Sequence, residues 1–123
     1  TTPTILAFDA EDHDTNTLHD TVAVNSRLTC RVPGIYYAEA IVYWASSAVG
    51  QRTARIKMNG STIVTTTIMP LTTGTDTSHI IFTSPTRLAY GDYLQLEVEQ
   101  DTGGDLAVVG GSIGTFFGMY RVA

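Results

Sequence analysis

The sequence predicts an all-β fold, a β-sandwich or barrel of about eight to ten short strands. No window of about eleven residues shows a capped, amphipathic helical stripe. Threonine is abundant, and β-branched and aromatic residues dominate the apolar set, as is typical of pleated sheets. Turn signals recur at regular spacing along the whole chain.

Composition narrows the class of protein further. The 123 residues are enough for one domain, residues 1–123, and hydrophobic residues make up 43% of the chain. Only 15% of residues are charged, which fits a surface partly hidden in an assembly. A net charge of -5 disfavours nucleic-acid binding, which needs a basic face. No apolar run approaches the roughly 20 residues of a membrane helix, so we expect neither nucleic acid nor membrane as a partner.

The first part of the chain predicts short strands around an acidic segment. Residues 4–8 predict a first strand and residues 9–20 an acidic loop, so residues 1–20 form an N-terminal strand and arm. The start lacks a signal peptide, which fits a removed initiator methionine or a processed fragment. Short strands are expected at residues 22–24 and 26–31. The single cysteine, Cys30, excludes an internal disulfide, and we expect a small buried side chain.

The Pro33-Gly34 corner opens a long strand that ends at Trp44 and is apolar on both faces. One face comprises Tyr36, Ala38, Ala40, Val42 and Trp44, and the other comprises Ile35, Tyr37, Glu39, Ile41 and Tyr43. A strand with one wet side alternates apolar and polar residues, and only Glu39 is charged here. Both sides are therefore expected to be covered, the second by another copy of the chain.

The middle of the chain predicts a hairpin followed by an interrupted strand. Residues 51–58 alternate cleanly, and Asn59-Gly60 is a strong two-residue hairpin signal before a strand at 61–69. Pro70 ends that strand, because proline cannot serve a central ladder. A loop is expected at 71–77 and a strand at 78–88, where Pro85 favours an edge or a bulge.

The last part of the chain predicts two strands and two turns. A turn at 90–92 precedes a strictly alternating strand at 93–100. A Gly-rich turn at 101–105 and a connection at 106–114 lead to a closing strand at 115–122. That strand is also apolar on both faces. If it lies beside the long strand, one sheet faces the core inwardly and a partner outwardly.

Four motifs stand in an order that resembles a known superfamily. They are SRLT before VPGIY (26–29 and 32–36), IKMNG (56–60), TRLAYGDYL (86–94) and FFGMY (116–120). Over residues 26 to 122 the pattern is similar to the C1q-like branch of the C1q and tumour necrosis factor jelly-roll superfamily, in its bacterial or bacteriophage form. The resemblance implies a ten-stranded jelly roll that forms a trimer, with the long and last strands near the threefold axis.

The residues expected at the trimer interface follow from the alternation of these two strands. They are Tyr37, Glu39, Ile41 and Tyr43 of the long strand and Phe117, Met119 and Arg121 of the last strand. The opposite face of the long strand is expected in the core, although alternation alone also allows the inverse assignment. Glu39 is expected to pair across the interface with Arg121 or Arg55, because an unpaired carboxylate is costly when buried.

Catalytic chemistry finds no support in the sequence. The histidines His13, His19 and His79 lack metal-binding spacing, and neighbours in a strand, such as Ser78 and His79, point to opposite faces. Residues 110–114 lack the lysine and helix of a phosphate loop. We therefore expect no enzyme activity and no organic cofactor. The aromatic side chains are expected to form core and interface, with a sugar-stacking platform as the other interpretation.

Two acidic clusters are candidates for a divalent cation. They comprise Asp9, Glu11, Asp12 and Asp14, and Asp101 and Asp105. Calcium takes several oxygen ligands from such loops, but no EF-hand pattern is present. A solvated acidic loop is the first interpretation, and a Ca²⁺ ion shared between subunits is the second.

The resemblance to C1q-like modules of bacteriophages implies a non-enzymatic virion protein, located in the extracellular particle. The first expectation is a trimeric bacteriophage capsid decoration (cement) protein that binds other virion proteins, through residues 1–20 and loops at one end of the sandwich. The alternative is a receptor- or glycan-binding tip of a phage tail, fibre or bacterial surface structure. The loops 45–50, 71–77 and 101–105 contain no aromatic residue, which favours the structural role.

Overall fold

A computed structural model describes residues 3–8, 26–69, 77–104, 106–109 and 114–123. These residues form nine strands and no helix, which confirms the all-β prediction. The strands are β1 (Thr4–Ile5), β2 (Leu28–Thr29), β3 (Gly34–Trp44), β4 (Arg52–Met58), β5 (Thr62–Met69), β6 (Thr77–Phe82), β7 (Thr86–Leu88), β8 (Tyr93–Gln100) and β9 (Phe116–Arg121). None of the described residues forms a helix long and apolar enough to cross a membrane.

The strands form two antiparallel sheets. In sheet A, β8 pairs with β4 on one edge and with β1 and β2 on the other, and β5 extends the sheet beyond β4. In sheet B, β3 is central, with β6 and β7 along one edge and β9 along the other. The long and last strands are therefore hydrogen-bonded neighbours, which meets the condition under which one sheet faces the core on one side and is apolar on the other.

The core lies between the inner faces of the two sheets. Sheet B contributes Tyr36, Ala38, Ala40, Val42, Trp44, Ile81, Leu88 and Met119, and sheet A contributes Leu28, Ala54, Ile56, Leu94, Leu96 and Val98. Large and small side chains meet across this layer, which fills the space between the sheets. The inward assignment of the alternate β3 residues is confirmed.

The β4–β5 hairpin follows the predicted turn chemistry. Asn59 and Gly60 have φ angles of 54° and 78°, the left-handed values that a type I′ turn requires. Asn59 also ties the turn to sheet A, because its Nδ2 donates to Asp92 and its Oδ1 accepts from the Tyr93 amide. The pairing register of β4 with β5 shifts between Ile56 and Lys57, close to the hairpin turn, as at a β-bulge.

Three predicted strands are shorter or divided in the structure. Residues 78–88 form two strands, because β6 ends at Phe82 and β7 begins at Thr86. Between them, the Thr83 hydroxyl accepts a hydrogen bond from the Ala38 amide, and Pro85 has no amide to donate to the ladder. The strands predicted at 4–8 and 26–31 contain two ladder residues each. The predicted strand at 22–24, the loop at 9–20 and residues 71–76 of the loop predicted at 71–77 lie outside the described residues, whereas Thr77 begins β6.

The closing strand has its faces in the opposite phase to the one predicted. Its register with β3 pairs Phe117 with Ala40 and Met119 with Ala38, so both side chains point to the core. Phe116 and Tyr120 point outward instead. Grouping Phe117 and Met119 with Tyr37 on one outer surface was therefore wrong. The sequence allowed this error because both faces of β9 are apolar, so alternation carried no information on direction.

Candidate functional site

The outward side chains of sheet B form a single surface, which we call the outer B face. It comprises Ile35, Tyr37, Glu39, Ile41 and Tyr43 of β3, Ser78, Ile80 and Phe82 of β6, Arg87 of β7, and Phe116, Gly118 and Tyr120 of β9. The face is three strands wide, with β3 between β9 on one side and β6 and β7 on the other. Strands about 4.8 Å apart over a length of about 30 Å give it an area of about 400 Å². This whole face, which also contains Ser78, Glu39 and Arg87, has the size of the largest surface patches of ordinary monomers, about 300 to 600 Å², which are often functional.

Several large apolar side chains on this face are exposed to solvent. Ile80 is 61% and Phe82 59% exposed, and Phe116 and Tyr120 are also exposed. The rings of Tyr37 and Phe82 stack with their centroids 6.4 Å apart. Such contiguous exposure on one face is the usual signature of an interaction site, whereas single exposed apolar residues need no explanation.

The outer face of sheet A differs, because ion pairs cross it beside the exposed Ile63 and Ile68. Arg55 binds the carboxylates of Glu97 and Glu99 at 2.9 Å each, and Lys57 binds Glu97 at 3.3 Å. The hydrogen bond to Glu99 is the main cause that raises the pKa of Arg55. Partly exposed pairs of this kind contribute little stability, but they mark a surface that faces water. The two outer faces of the sandwich therefore differ in kind.

Glu39 occupies the centre of the outer B face. It lies between Phe82 and Gly118 on the neighbouring strands, and its Oε1 accepts a hydrogen bond from the Tyr120 hydroxyl at 3.3 Å. Burial, together with the charge of Glu39, raises the pKa of Tyr120, so this hydroxyl stays protonated as a donor. Among the described residues, no cation lies within ion-pair distance of Glu39.

Gly118 shapes the surface beside this carboxylate. A Cβ atom placed there would come 2.8 Å from Cζ of Phe116 and 3.1 Å from the hydroxyl of Tyr120. The two rings therefore fold over the glycine from both sides and close the gap that a missing side chain leaves. The result is a continuous aromatic strip next to Glu39.

The predicted interface residues separate into two groups. Tyr37, Glu39, Ile41 and Tyr43 lie together on the outer B face, whereas Phe117 and Met119 lie in the core layer. Arg121 shares the register of the core face, and its Nε donates to the Pro33 carbonyl at 3.3 Å.

Sequence reasoning missed several residues that belong to the outer B face. They are Ile80, Phe82, Arg87, Phe116 and Tyr120. Alternation of Ile80 and Phe82 with the buried His79 and Ile81 was the available signal for β6.

The predicted cation site has little structural basis among the described residues. There, no group of three or more metal-ligating side chains comes together. Asp101 holds a turn instead, because its carboxylate accepts a hydrogen bond from the Gln51 backbone amide beside Gly50. The other candidates, Asp9, Glu11, Asp12, Asp14 and Asp105, lie outside the described residues.

Two buried polar side chains have structural roles. Arg52 is 1% exposed, and its guanidinium donates to the carbonyls of Ser47 at 2.6 Å and Gly50 at 3.2 Å, which fixes the loop after β3. His79 is 3% exposed, and its Nδ1 accepts a hydrogen bond from the Trp44 indole at 3.4 Å. Ser78 points away from His79 to the outer surface, as predicted. Cys30 is buried, and its thiol donates to the Val32 carbonyl.

Open depressions lie at the ends of the sandwich. One of about 560 Å³ is bordered by Trp44, Leu106, Val108 and the end of β8, and one of about 400 Å³ is bordered by Arg87, Leu88 and Arg121.

No protein-family model matches the chain, and no curated protein matches it either. The outer B face is the structural feature that bears on function.

Proposed function

We propose that this chain is a non-enzymatic structural module that forms a homotrimer through the outer B face. In its most specific form, the proposal is a bacteriophage capsid decoration protein with a jelly-roll fold. One observation carries it: exposed aromatic side chains gather on the outer B face, which has no ion pair among the described residues. The outer face of sheet A also exposes Ile63 and Ile68, but there they stand beside the ion pairs of Arg55 and Lys57.

The composition of the outer B face supports burial by protein. Protein interfaces are enriched in aromatic residues, and Tyr37, Phe82, Phe116 and Tyr120 lie on this face. The central Glu39 departs from the usual depletion of charge at the centre of an interface and therefore needs a partner. A standard interface buries about 800 Å² per partner. The outer B face of about 400 Å² is about half of that value, so the flanking loops have to contribute the rest of the contact area.

The path of the chain supports the jelly-roll form of the proposal. The chain changes sheet at the β2–β3, β3–β4, β5–β6, β7–β8 and β8–β9 connections, while β4 and β5 form a hairpin. Repeated exchange between two antiparallel sheets is typical of jelly rolls. The four motifs that resemble C1q-like modules fall on or beside β2, β3, β4, β7, β8 and β9.

In a virion, the proposed role of the trimer is to stabilise the closed capsid by binding to it preferentially. A folded trimer that binds only the closed capsid adds buried area to that state and disfavours its opening. Loops at one end of the sandwich, with residues 1–20, are the proposed docking surface. The test adds the purified protein to capsids that lack it. Saturable binding with a higher disruption temperature is expected, and unchanged capsids would contradict this role.

A matched pair of substitutions tests the assembly surface. Ile80 on the outer B face and Ile68 on the outer face of sheet A have nearly the same exposure, 61% and 57%. Wild type should sediment at three times the 13.3 kDa chain mass. Ile80→Arg should shift the mass to that of a single chain, because a charge would enter the apolar contact. Ile68→Arg should remain trimeric. A single-chain mass for wild type overturns the proposal.

Glycan binding is the second candidate, and the aromatic strip beside Glu39 favours it. Sugars stack on exposed rings and donate hydrogen bonds to carboxylates, both of which this face offers. The aliphatic side chains of Ile41 and Ile80 within the same face favour protein burial instead. A single-chain wild type that binds a glycan array, and loses binding on Tyr37→Ala, would reverse the ranking.

A further inference from the structure

We propose that Glu39 of one copy pairs with Arg87 of the neighbouring copy across the outer B face. The inference rests on the proposed self-assembly and names the polar contact that fixes its register. Glu39 and Arg87 are the two charged residues at outward positions of sheet B among the described residues. They have opposite signs, so the face carries both halves of a complementary pair.

The spacing of the two charges favours a contact between copies. Arg87 pairs with Ile35 at one end of β3, whereas Glu39 lies at the middle of the strand. Strand rise and spacing put their Cα atoms about 14 Å apart. Within the described part of the chain, no ion pair joins them, and Glu39 bonds to Tyr120 on the opposite side.

Burial of the face makes a counter-charge necessary. Once water is displaced, the Glu39 carboxylate would retain one neutral donor, the Tyr120 hydroxyl, among apolar rings. A carboxylate in that setting is costly unless a cation with good geometry reaches it. The partner copy has to supply that cation, since none of the described residues of the same chain does so.

The other cations are placed elsewhere. The chain has seven lysines and arginines in total. Arg55 and Lys57 are paired with carboxylates on the outer face of sheet A, on the other side of the sandwich from Glu39, which disfavours the pairing with Arg55 expected from sequence. Arg52 is buried, and Arg27 lies over the Tyr93 ring at 4.0 Å. Arg31 precedes β3 in a loop, and Arg121 has the register of the core face. Arg87 is left as the cation of the outer B face.

The stoichiometry suits a closed ring. Every copy brings one Glu39 and one Arg87, so each carboxylate in a cyclic assembly meets one guanidinium of the next subunit. A register that sets Glu39 against Glu39 would bring like charges together in a dry contact, which is repulsive. The pair therefore selects one packing of an otherwise featureless apolar face.

A charge-reversal cycle tests the pair on the full chain. Sedimentation over a range of protein concentrations gives the dissociation constant of Glu39→Arg, Arg87→Glu and the double variant. Each single reversal should weaken assembly by about tenfold or more, and the double variant should recover most of the loss. The double variant Glu39→Arg with Arg121→Glu should not recover, which separates Arg87 from Arg121. If a reversal prevents folding, Glu39→Gln and Arg87→Gln replace it in the cycle.

The outcomes distinguish this inference from the proposed function. An assembled wild type whose single reversals keep the same dissociation constant overturns the Glu39–Arg87 pair and leaves self-assembly standing. A double variant as weak as its parents has the same meaning. A wild type that sediments as a single chain overturns both.

Discussion

Glu39 and His79 lie on neighbouring strands of sheet B and point to opposite faces, and each is held by one aromatic donor. The Tyr120 hydroxyl donates a hydrogen bond to Glu39 on the outer B face, and the Trp44 indole donates one to His79 on the core face. The inner site is buried, and this burial lowers the pKa of His79, an effect that the Thr67 backbone opposes. Nε2 of His79 makes no hydrogen bond of normal geometry among the described residues. The folded chain therefore favours neutral His79.

This histidine predicts a loss of stability in mild acid. Unfolding frees His79 to bind a proton with an ordinary pKa of 6.5, whereas the folded state resists protonation. The contribution of neutral His79 to the free energy of unfolding is present above that pH. It is lost as the pH falls below it, by at most about 1.4 kcal/mol per pH unit. Urea unfolding of His79→Gln should show a flatter dependence below pH 6.5 than wild type. Parallel curves for the two proteins would contradict the assignment.

Residue-level reasoning reached part of this arrangement from sequence. Alternation sufficed to separate Ser78 from His79, and it placed Tyr36 and Ala38 on a common face. The bond from Trp44 to His79 was not accessible, because it depends on how β3 and β6 align across a long separation in sequence. The same limit hid Arg87 as the cation on the face of Glu39.

At the scale of elements, turn chemistry was read more reliably than strand length. The Asn59-Gly60 hairpin and the turn before β8 stand where Gly and Asn predict them, because few residues accept a positive φ. The strand at 78–88 was predicted as one element, but Pro85 and the bond between Thr83 and Ala38 divide it. A break of this kind depends on what the partner strand offers at that position.

The turn between β7 and β8 offers a test of backbone strain alone. Gly91 has φ 91° and open space where an alanine Cβ would lie, and Gly104 has the same open space without a positive φ. Gly91→Ala should lower the free energy of unfolding by about 1 to 2 kcal/mol. Gly104→Ala should stay within about 0.5 kcal/mol of wild type. Chemical denaturation measures both, and equal losses would show that conformation is not the cause.

At the scale of the whole molecule, the two outer faces lead to different expectations for stability. If the outer B face is buried between copies, assembly stabilises the folded chain by mass action. The Tm of wild type should rise with protein concentration, on the order of 4 °C for each tenfold increase. Ile80→Arg should show a lower Tm that does not change with concentration, and Ile68→Arg should behave like wild type. A Tm of wild type independent of concentration would contradict assembly.

The sequence by itself determined the all-β class, the hairpin, the two-faced character of β3 and the division of its side chains between two faces. These features depend on neighbours in sequence, since turn residues and a period of two act locally. The tertiary structure alone decided that Phe117 and Met119 enter the core and that Phe116, Tyr120 and Arg87 join Glu39 outside. A strand with two apolar faces satisfies alternation in either phase, and its pairing with β3 selects one of them.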